Sequence, residues 1–306
     1  MGPFALRRLL LLLPQALGIA TLIFVLFRLV PGDPATIVAG PGATQEQIET
    51  LRRDLGLDRP LWAQYVRFLG DLARGDLGTS LSLRQPVTQV LAARLGPSAA
   101  LMAASLALTV ILAVPAGVAA AVRPHSAAAQ AVMGASVLAL SIPNFLLGMI
   151  LMQYLSVRWR LLPAAGTGGL AFLVMPTLAI AARLVALVSR TTRASVMEIL
   201  GEDFVRTARA KGLAPRVVLY RHALRPALPP IVTMIGLQAG YLLGGSIVVE
   251  TLFAYQGLGQ AMITAVSLRD YFLVQGITLL YVVGFLLVNL AVDLSYAAFD
   301  PRIRYA

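Results

Sequence analysis

Residues 95–122 read LGPSAALMAASLALTVILAVPAGVAAAV, a run between Arg94 and Arg123 without one charged side chain. A helix needs about 20 apolar residues to cross about 30 Å of hydrocarbon, and this run exceeds that length. Five more charge-free windows flank it, at 9–27, 124–157, 161–182, 226–249 and 271–292. Together they take up about half of the 306 residues. The chain is 58% hydrophobic and 13% charged, where soluble domains carry about 25% charge. With a mean hydropathy of +0.80, that composition excludes a soluble enzyme, because a water-facing surface this apolar would associate. The pattern predicts an all-α integral membrane protein with six transmembrane helices. It divides into an N-terminal segment with the first span (1–30), a long outer segment with short helices (31–94), and a five-helix core (95–306). One further uncharged run, Thr251–Leu268, is diluted by Gln256, Gly257, Gly259, Gln260, Thr264 and Ser267, and reads as a partly re-entrant or interfacial outer loop.

Orientation follows from the arginines, since loops on the cytoplasmic side retain positive charge. With the N-terminus inside, Arg7, Arg8, Arg123, nine basic residues from Arg183 to Arg225, Arg302 and Arg304 all fall on the inner face. The short outer loops hold Arg158, Arg160 and Arg269, and the long segment 28–94 balances eight arginines against seven acids. Both termini are therefore expected in the cytoplasm. The net charge of +11 points to anionic headgroups or a protein partner, and not to nucleic acid. Arg7 and Arg8 before an apolar run resemble a secretory signal. The run is too long, contains Pro14 and lacks a small-residue cleavage site, so an uncleaved first helix is expected.

Several chemistries are missing. There is no cysteine and only one lysine, Lys211, followed by Gly212 and Leu213, so the phosphate-cradling loop of nucleotide hydrolases cannot form. His125 and His222 have no second ligand nearby in sequence. No local catalytic constellation stands out, which leaves intramembrane proteolysis a weak alternative.

In the outer segment, Thr44 and Gln47 make a capping box before Ile48, Leu51 and Leu55. A second helix follows Pro60, with Leu61, Trp62, Tyr65, Val66, Leu69 and Leu72 as an apolar stripe. It either packs onto the spans or offers a docking surface to an external partner.

The stretch 183–225 holds nine positive and three negative charges and reads as an inner loop, with its coupling part at 193–225. Glu202–Lys211 predicts a short helix, Gly212 a left-handed residue just past its end, and Pro215 the first turn of the next helix. Phe204 and Ala208, four apart, are expected on one face turned toward the membrane or a partner pocket. A basic loop held by anionic lipid is the competing reading.

Arg206-Thr207-Ala208-Arg209-Ala210-Lys211-Gly212-Leu213, with Asp203 ahead of it, resembles the EAA loop of bacterial ABC importer permeases, in the variant of oligopeptide and dipeptide permeases. Further matches run in order along the chain: Pro31-Gly32-Asp33-Pro34, Gly75-Asp76-Leu77-Gly78-Thr79-Ser80, Ser141-Ile142-Pro143-Asn144-Phe145, Arg221-His222-Ala223-Leu224-Arg225 and Asp300-Pro301-Arg302-Ile303-Arg304-Tyr305. The general motif's glutamate is replaced by Arg206, and Thr207 stands at an alanine-like position. The resemblance implies a type I importer-like permease in the bacterial inner membrane, without catalysis of its own. It also implies a second permease subunit, two ATP-binding subunits that hold ATP and Mg, and an extracytoplasmic substrate-binding protein. The implied cargo is a di- or oligopeptide or a related solute such as glutathione or a nickel complex, and the EAA loop is the implied coupling element. An ion-coupled secondary transporter or channel is the rival reading, for which inverted repeats and paired intramembrane acids would be needed.

Polar groups inside spans face the bundle or a cavity. Candidates for the path or for packing are Ser141, Pro143 and Asn144 at an expected helix kink, with Gln153, Gln238, Glu250, Asn289 and Asp293. Asn289 and Asp293 lie four apart near an inner end, where interhelical hydrogen bonding is the simpler role. Gly236, Gly240, Gly244 and Gly245 give the fifth span a small-residue face, which suits packing within the chain or against a second permease.

Overall fold

A computed structural model describes residues 2–29, 34–40, 42–54 and 56–299. The Pro31-Gly32-Asp33 part of the first outer motif and the motif 300–305 lie outside the described residues. In chain order the helices are α1 (Gly2–Leu29), α2 (Pro34–Ala39), α3 (Gln45–Asp54), α4 (Leu61–Ala73), α5 (Val87–Val122), α6 (Ala127–Ser141) and α7 (Asn144–Leu151). After α7 come α8 (Leu170–Leu200), α9 (Asp203–Ala210), α10 (Pro215–Val217), α11 (Arg225–Gly245), α12 (Ile247–Leu252), α13 (Leu258–Ser267) and α14 (Tyr271–Phe299). α7 continues as a π-helical stretch, Met152–Arg158, and a second such stretch, Val218–Leu224, joins α10 to α11.

Five helices are long and apolar enough to cross a membrane, and six crossings result when the bent pair α6 and α7 counts as one. The expected kink at Pro143 is in fact a break of 100°. Proline's ring disfavours the helical conformation of the residue before it. Ile142 accordingly adopts φ −92, ψ 122, and Pro143 at φ −60, ψ 141 precedes the new helix.

Two boundaries also move. Of the window 161–182, only the part from Leu170 onward is helical. Gly166 and Gly168 take φ of +119 and +138 before it, and the Gly166 amide donates to the Phe253 carbonyl at 2.8 Å. The stretch 183–225 is not one loop, because residues 183–200 continue α8 and Arg225 already opens α11. Lack of charge marks what lipid tolerates, whereas glycine and proline decide where the helix starts.

The centre of the fold is α5 against α8, which run in the same direction. Toward the outer side Leu101 clusters with Met175, Ala179 and Ile180; toward the inner side Ala113 and Val118 cluster with Val188 and Val196. Gly117 permits the close approach: a Cβ there would lie 2.6 Å from the Ser189 carbonyl oxygen and from Thr192 Cβ. Gly117→Val is therefore expected to destabilise the protein by about 1–3 kcal/mol through overpacking, read as a lowered thermal midpoint in detergent. The small-residue face of α11 packs within the chain at two positions. A Cβ at Gly236 would overlap Val292, and one at Gly240 would lie 2.9 Å from the Phe285 ring, both on α14.

Outside, α4 rests on α1. Phe24 meets Tyr65 edge-on at 5.2 Å, and Phe68 and Leu72 join the cluster of Ala20 and Ile23. Arg28 closes the corner by bonding Gln64 and the Tyr271 hydroxyl. The sequence stripe of α4 splits, since Leu61, Trp62 and Val66 remain exposed while Tyr65 turns inward. In the uncharged run Thr251–Leu268, the first two residues end α12 and Leu258–Ser267 form α13, whose Leu258, Ala261 and Ala265 pack on Val87, Val90 and Leu91 of α5.

Candidate functional site

At the inner side, α8 ends at Leu200 and the chain turns through Gly201 into α9, for which Glu202 is the N-cap residue. Asp203 in its first turn and Arg209 in its last both suit the helix dipole. Gly212 takes φ +76, its amide donates to the Arg209 carbonyl at 3.0 Å, and Pro215 starts α10. Val205 and Ala208 turn inward and form a small cluster with Val218, against Ile199 and Leu200. This corrects the pairing of Phe204 with Ala208: Ala208 is buried while Phe204 is 45% exposed. Arg206, Thr207, Arg209, Ala210, Lys211, Gly212 and Leu213 are exposed as well. The result is a basic ridge with apolar Phe204 and Leu213 on it, resting on the inner tip of α8. Arg206 reaches Asp203 at 3.3 Å, but so exposed a pair contributes little stability.

At the outer side, Glu250 is fully buried. Its Oε1 accepts from the hydroxyls of Ser98 and Ser246 at 2.9 and 3.0 Å, and its Oε2 from the amides of Gly259 and Gln260 at 2.7 and 3.3 Å. Those amides belong to the first turn of α13, so the carboxylate caps that helix while holding α5 and α12. Gly257 is required beside it, because a Cβ there would overlap both Glu250 and Ser98.

A second buried carboxylate, Asp270, escapes a reading of the sequence. Its Oδ2 accepts from the Ser80 and Ser82 hydroxyls, both at 2.6 Å, and from the Ser82 amide at 3.0 Å. Its Oδ1 accepts from the Leu273 amide at 3.2 Å, capping α14. The available signal was an aspartate directly before an apolar run; its partners lie 188 to 190 residues away. Burial pushes the Asp270 carboxyl up, but the hydrogen bonds from Ser80 and Ser82 outweigh it and hold it below the ordinary aspartate value. The fold thus favours ionised Asp270. Its contribution is complete above the unfolded-state value of about 3.9 and fades as pH falls through the lower folded value. Melting in detergent should show Asp270→Asn less stable than the parent at neutral pH, with the gap narrowing below about pH 4.

The remaining candidates are not brought together. Ser141 bonds back to the Val137 carbonyl at 2.9 Å beside exposed Pro143, and Asn144 opens α7 half-buried. Gln153 is exposed on the π-helical stretch, and Gln238 reaches only the Met234 sulfur at 3.5 Å. Asp293 pairs with Arg8 at 2.8 Å, joining α14 to α1 beside a cavity of about 330 Å³ that Asn289, Gln15 and Thr233 also line.

Comparison with known proteins bears on this arrangement. Residues 113–305 match the family described as binding-protein-dependent transport system inner membrane component, and residues 1–103 match the N-terminal region of such membrane components. The glutathione transport system permease protein GsiC of Pectobacterium atrosepticum is 44% identical over 302 residues, covering 99% of both chains. That of Salmonella typhimurium is 42% identical with the same coverage. Among solved structures, an inward-facing form of the MetNI methionine ABC transporter aligns with a TM-score of 0.56 at 22% identity, over 70% of this chain and 97% of that one. This last likeness concerns the fold.

Proposed function

Because the chain belongs to the family of binding-protein-dependent transport system inner membrane components, we propose that the ridge on α9 seats a separate ATPase and that the cargo is glutathione or a short peptide. The chain is a permease subunit of an ABC importer, a multi-pass protein of the bacterial inner membrane, and ATP is hydrolysed on another subunit. The cargo reading is supported by identity of 42 to 44% to glutathione permeases across nearly the whole chain. The docking reading is carried by one observation: α9 buries only Val205 and Ala208 and turns its remaining side chains outward. Such a ridge fits a cleft on a partner, and its position on α8 connects that partner to the centre of the bundle. A second permease, a pair of ATPases carrying ATP and Mg, and an external binding protein complete the proposed assembly.

The test is uptake of radiolabelled glutathione into proteoliposomes that hold the complete transporter. Uptake that requires ATP on the side of the membrane that carries the ATPase subunits supports the reading. Uptake driven by an ion gradient without ATP favours a secondary transporter instead, and ATP-driven uptake of dipeptides without glutathione narrows the cargo to peptides.

A further inference from the structure

One charged residue lies where a bilayer tolerates it poorly. α8 begins at Leu170, so its charge-free part, residues 170–182, rises about 20 Å and falls short of the about 30 Å of hydrocarbon. The next residue is Arg183. Its depth can be read from two neighbouring spans. Leu106 of α5 packs into the cluster that contains Leu184, which puts Arg183 within a turn of the middle of the charge-free run 95–122. On α11, Leu242 joins that same cluster while Ile231 joins Val188 and Val196, so Arg183 again falls near the middle of 226–249.

A guanidinium keeps its proton under all physiological conditions. From mid-membrane its side chain cannot reach either headgroup layer, so it needs a water-filled cavity or a counter-charge. Among the described residues no carboxylate lies within ion-pair distance of it. The carboxylates nearest the spans are already engaged: Glu250 by Ser98, Ser246 and two amides, Asp270 by Ser80 and Ser82, and Asp293 by Arg8. The face of α8 that carries Arg183 opens progressively inward, from buried Ala179 and Ile180 through half-buried Arg183 and Leu187 to exposed Arg190 and Ala194.

We propose that Arg183 lines the translocation path and holds a carboxylate of the cargo at mid-membrane, with Arg190 two turns further in extending the same positive face. The carboxylate part rests on the cargo reading above, since glutathione and peptides both carry such groups. A planar guanidinium grips a carboxylate through two parallel N–H bonds, and the missing counter-charge arrives with the cargo.

The test uses the complete transporter in proteoliposomes, and its two arms fail separately. The chain has no cysteine, so Arg183→Cys gives this subunit a single thiol for a membrane-impermeant thiosulfonate carrying a sulfonate. Modification in the nucleotide-free or the vanadate-trapped state is expected, and none in either state overturns the path position. In the second arm, Arg183→Gln is expected to lower glutathione uptake at least tenfold, with assembly retained. Arg183→Lys should keep an intermediate rate, and glutathione diethyl ester should cross equally in parent and Gln variant. Equal glutathione uptake by parent and Gln variant overturns the carboxylate contact, as does failure of both the Gln and Lys variants to assemble. A parent that takes up neither glutathione nor dipeptides overturns the cargo reading and the carboxylate contact with it, while thiol labelling still decides the path position; where only dipeptides are taken up, they replace glutathione in this arm.

Discussion

Gly212→Val should leave a transporter that assembles and hydrolyses ATP yet imports less than about a tenth of the cargo per ATP, an expectation that follows from the backbone at the end of α9. Gly212 holds φ +76, and nothing lies within 4 Å of a Cβ built there. The penalty is therefore conformational and not steric crowding: a side chain in the left-handed region costs about 1–2 kcal/mol, and a β-branched one more. The chain can relieve it by opening the corner between Ala210 and Pro215, which tilts Phe204, Arg209 and Leu213 out of the ridge while Val205 stays anchored. Gly212→Asn is the control, because asparagine tolerates this conformation, and it should keep most of the coupling. ATPase rate and uptake measured on the same liposomes decide the matter; parental uptake per ATP in the valine variant would refute the coupling role of this corner.

Glu250→Ala should produce the largest loss of stability, about 3–5 kcal/mol, the range found when one partner of a buried charged network is removed. Two serine hydroxyls and two α13 amides, all around a side chain with no exposure, lose their acceptor at once. Glu250→Gln should recover part of this, since the amide keeps an accepting oxygen but places donor hydrogens opposite other donors. Melting in detergent, followed through Trp and Tyr signals, tests the order parent, Gln, Ala. An alanine variant that melts with the parent removes Glu250 as the keystone of the outer side.

Which of these features the sequence discloses depends on the range of the force behind each. Charge avoidance in lipid acts residue by residue, so the six windows were legible, as were the short helix at 203–210, the glycine corner and Pro215. The break at Pro143 was legible in place but not in size, because proline alone ends a helix without dictating how far the next one swings. The charge-free window begins before α8 does, since Pro163, Gly166, Gly168 and Gly169 keep the chain out of the helix without adding any charge. Spacing puts Phe204 and Ala208 on one face, whereas the tip of α8 selects Val205 and Ala208. Asp270 and Ser80 are bound across most of the chain, and only folding brings them together. Arg183 reads as part of the inner loop because charge alone does not tell the helix around it from a loop.

α8 is unbroken from Leu170 to Leu200, about 46 Å of helix. Its outer part is fixed by the cluster around Met175 and Ile180, and its inner tip carries α9 through Ile199 and Leu200. Such a rod behaves as a lever with a fixed gear ratio. When it pivots about that cluster, which reaches Leu184, sideways travel of the ridge on α9 turns Arg183 by the same angle while displacing it far less. The timing of the mid-membrane arginine is then set by the geometry of one helix, whose only joint to the ridge is the turn at Gly201 that Val205 and Ala208 clamp against Ile199 and Leu200.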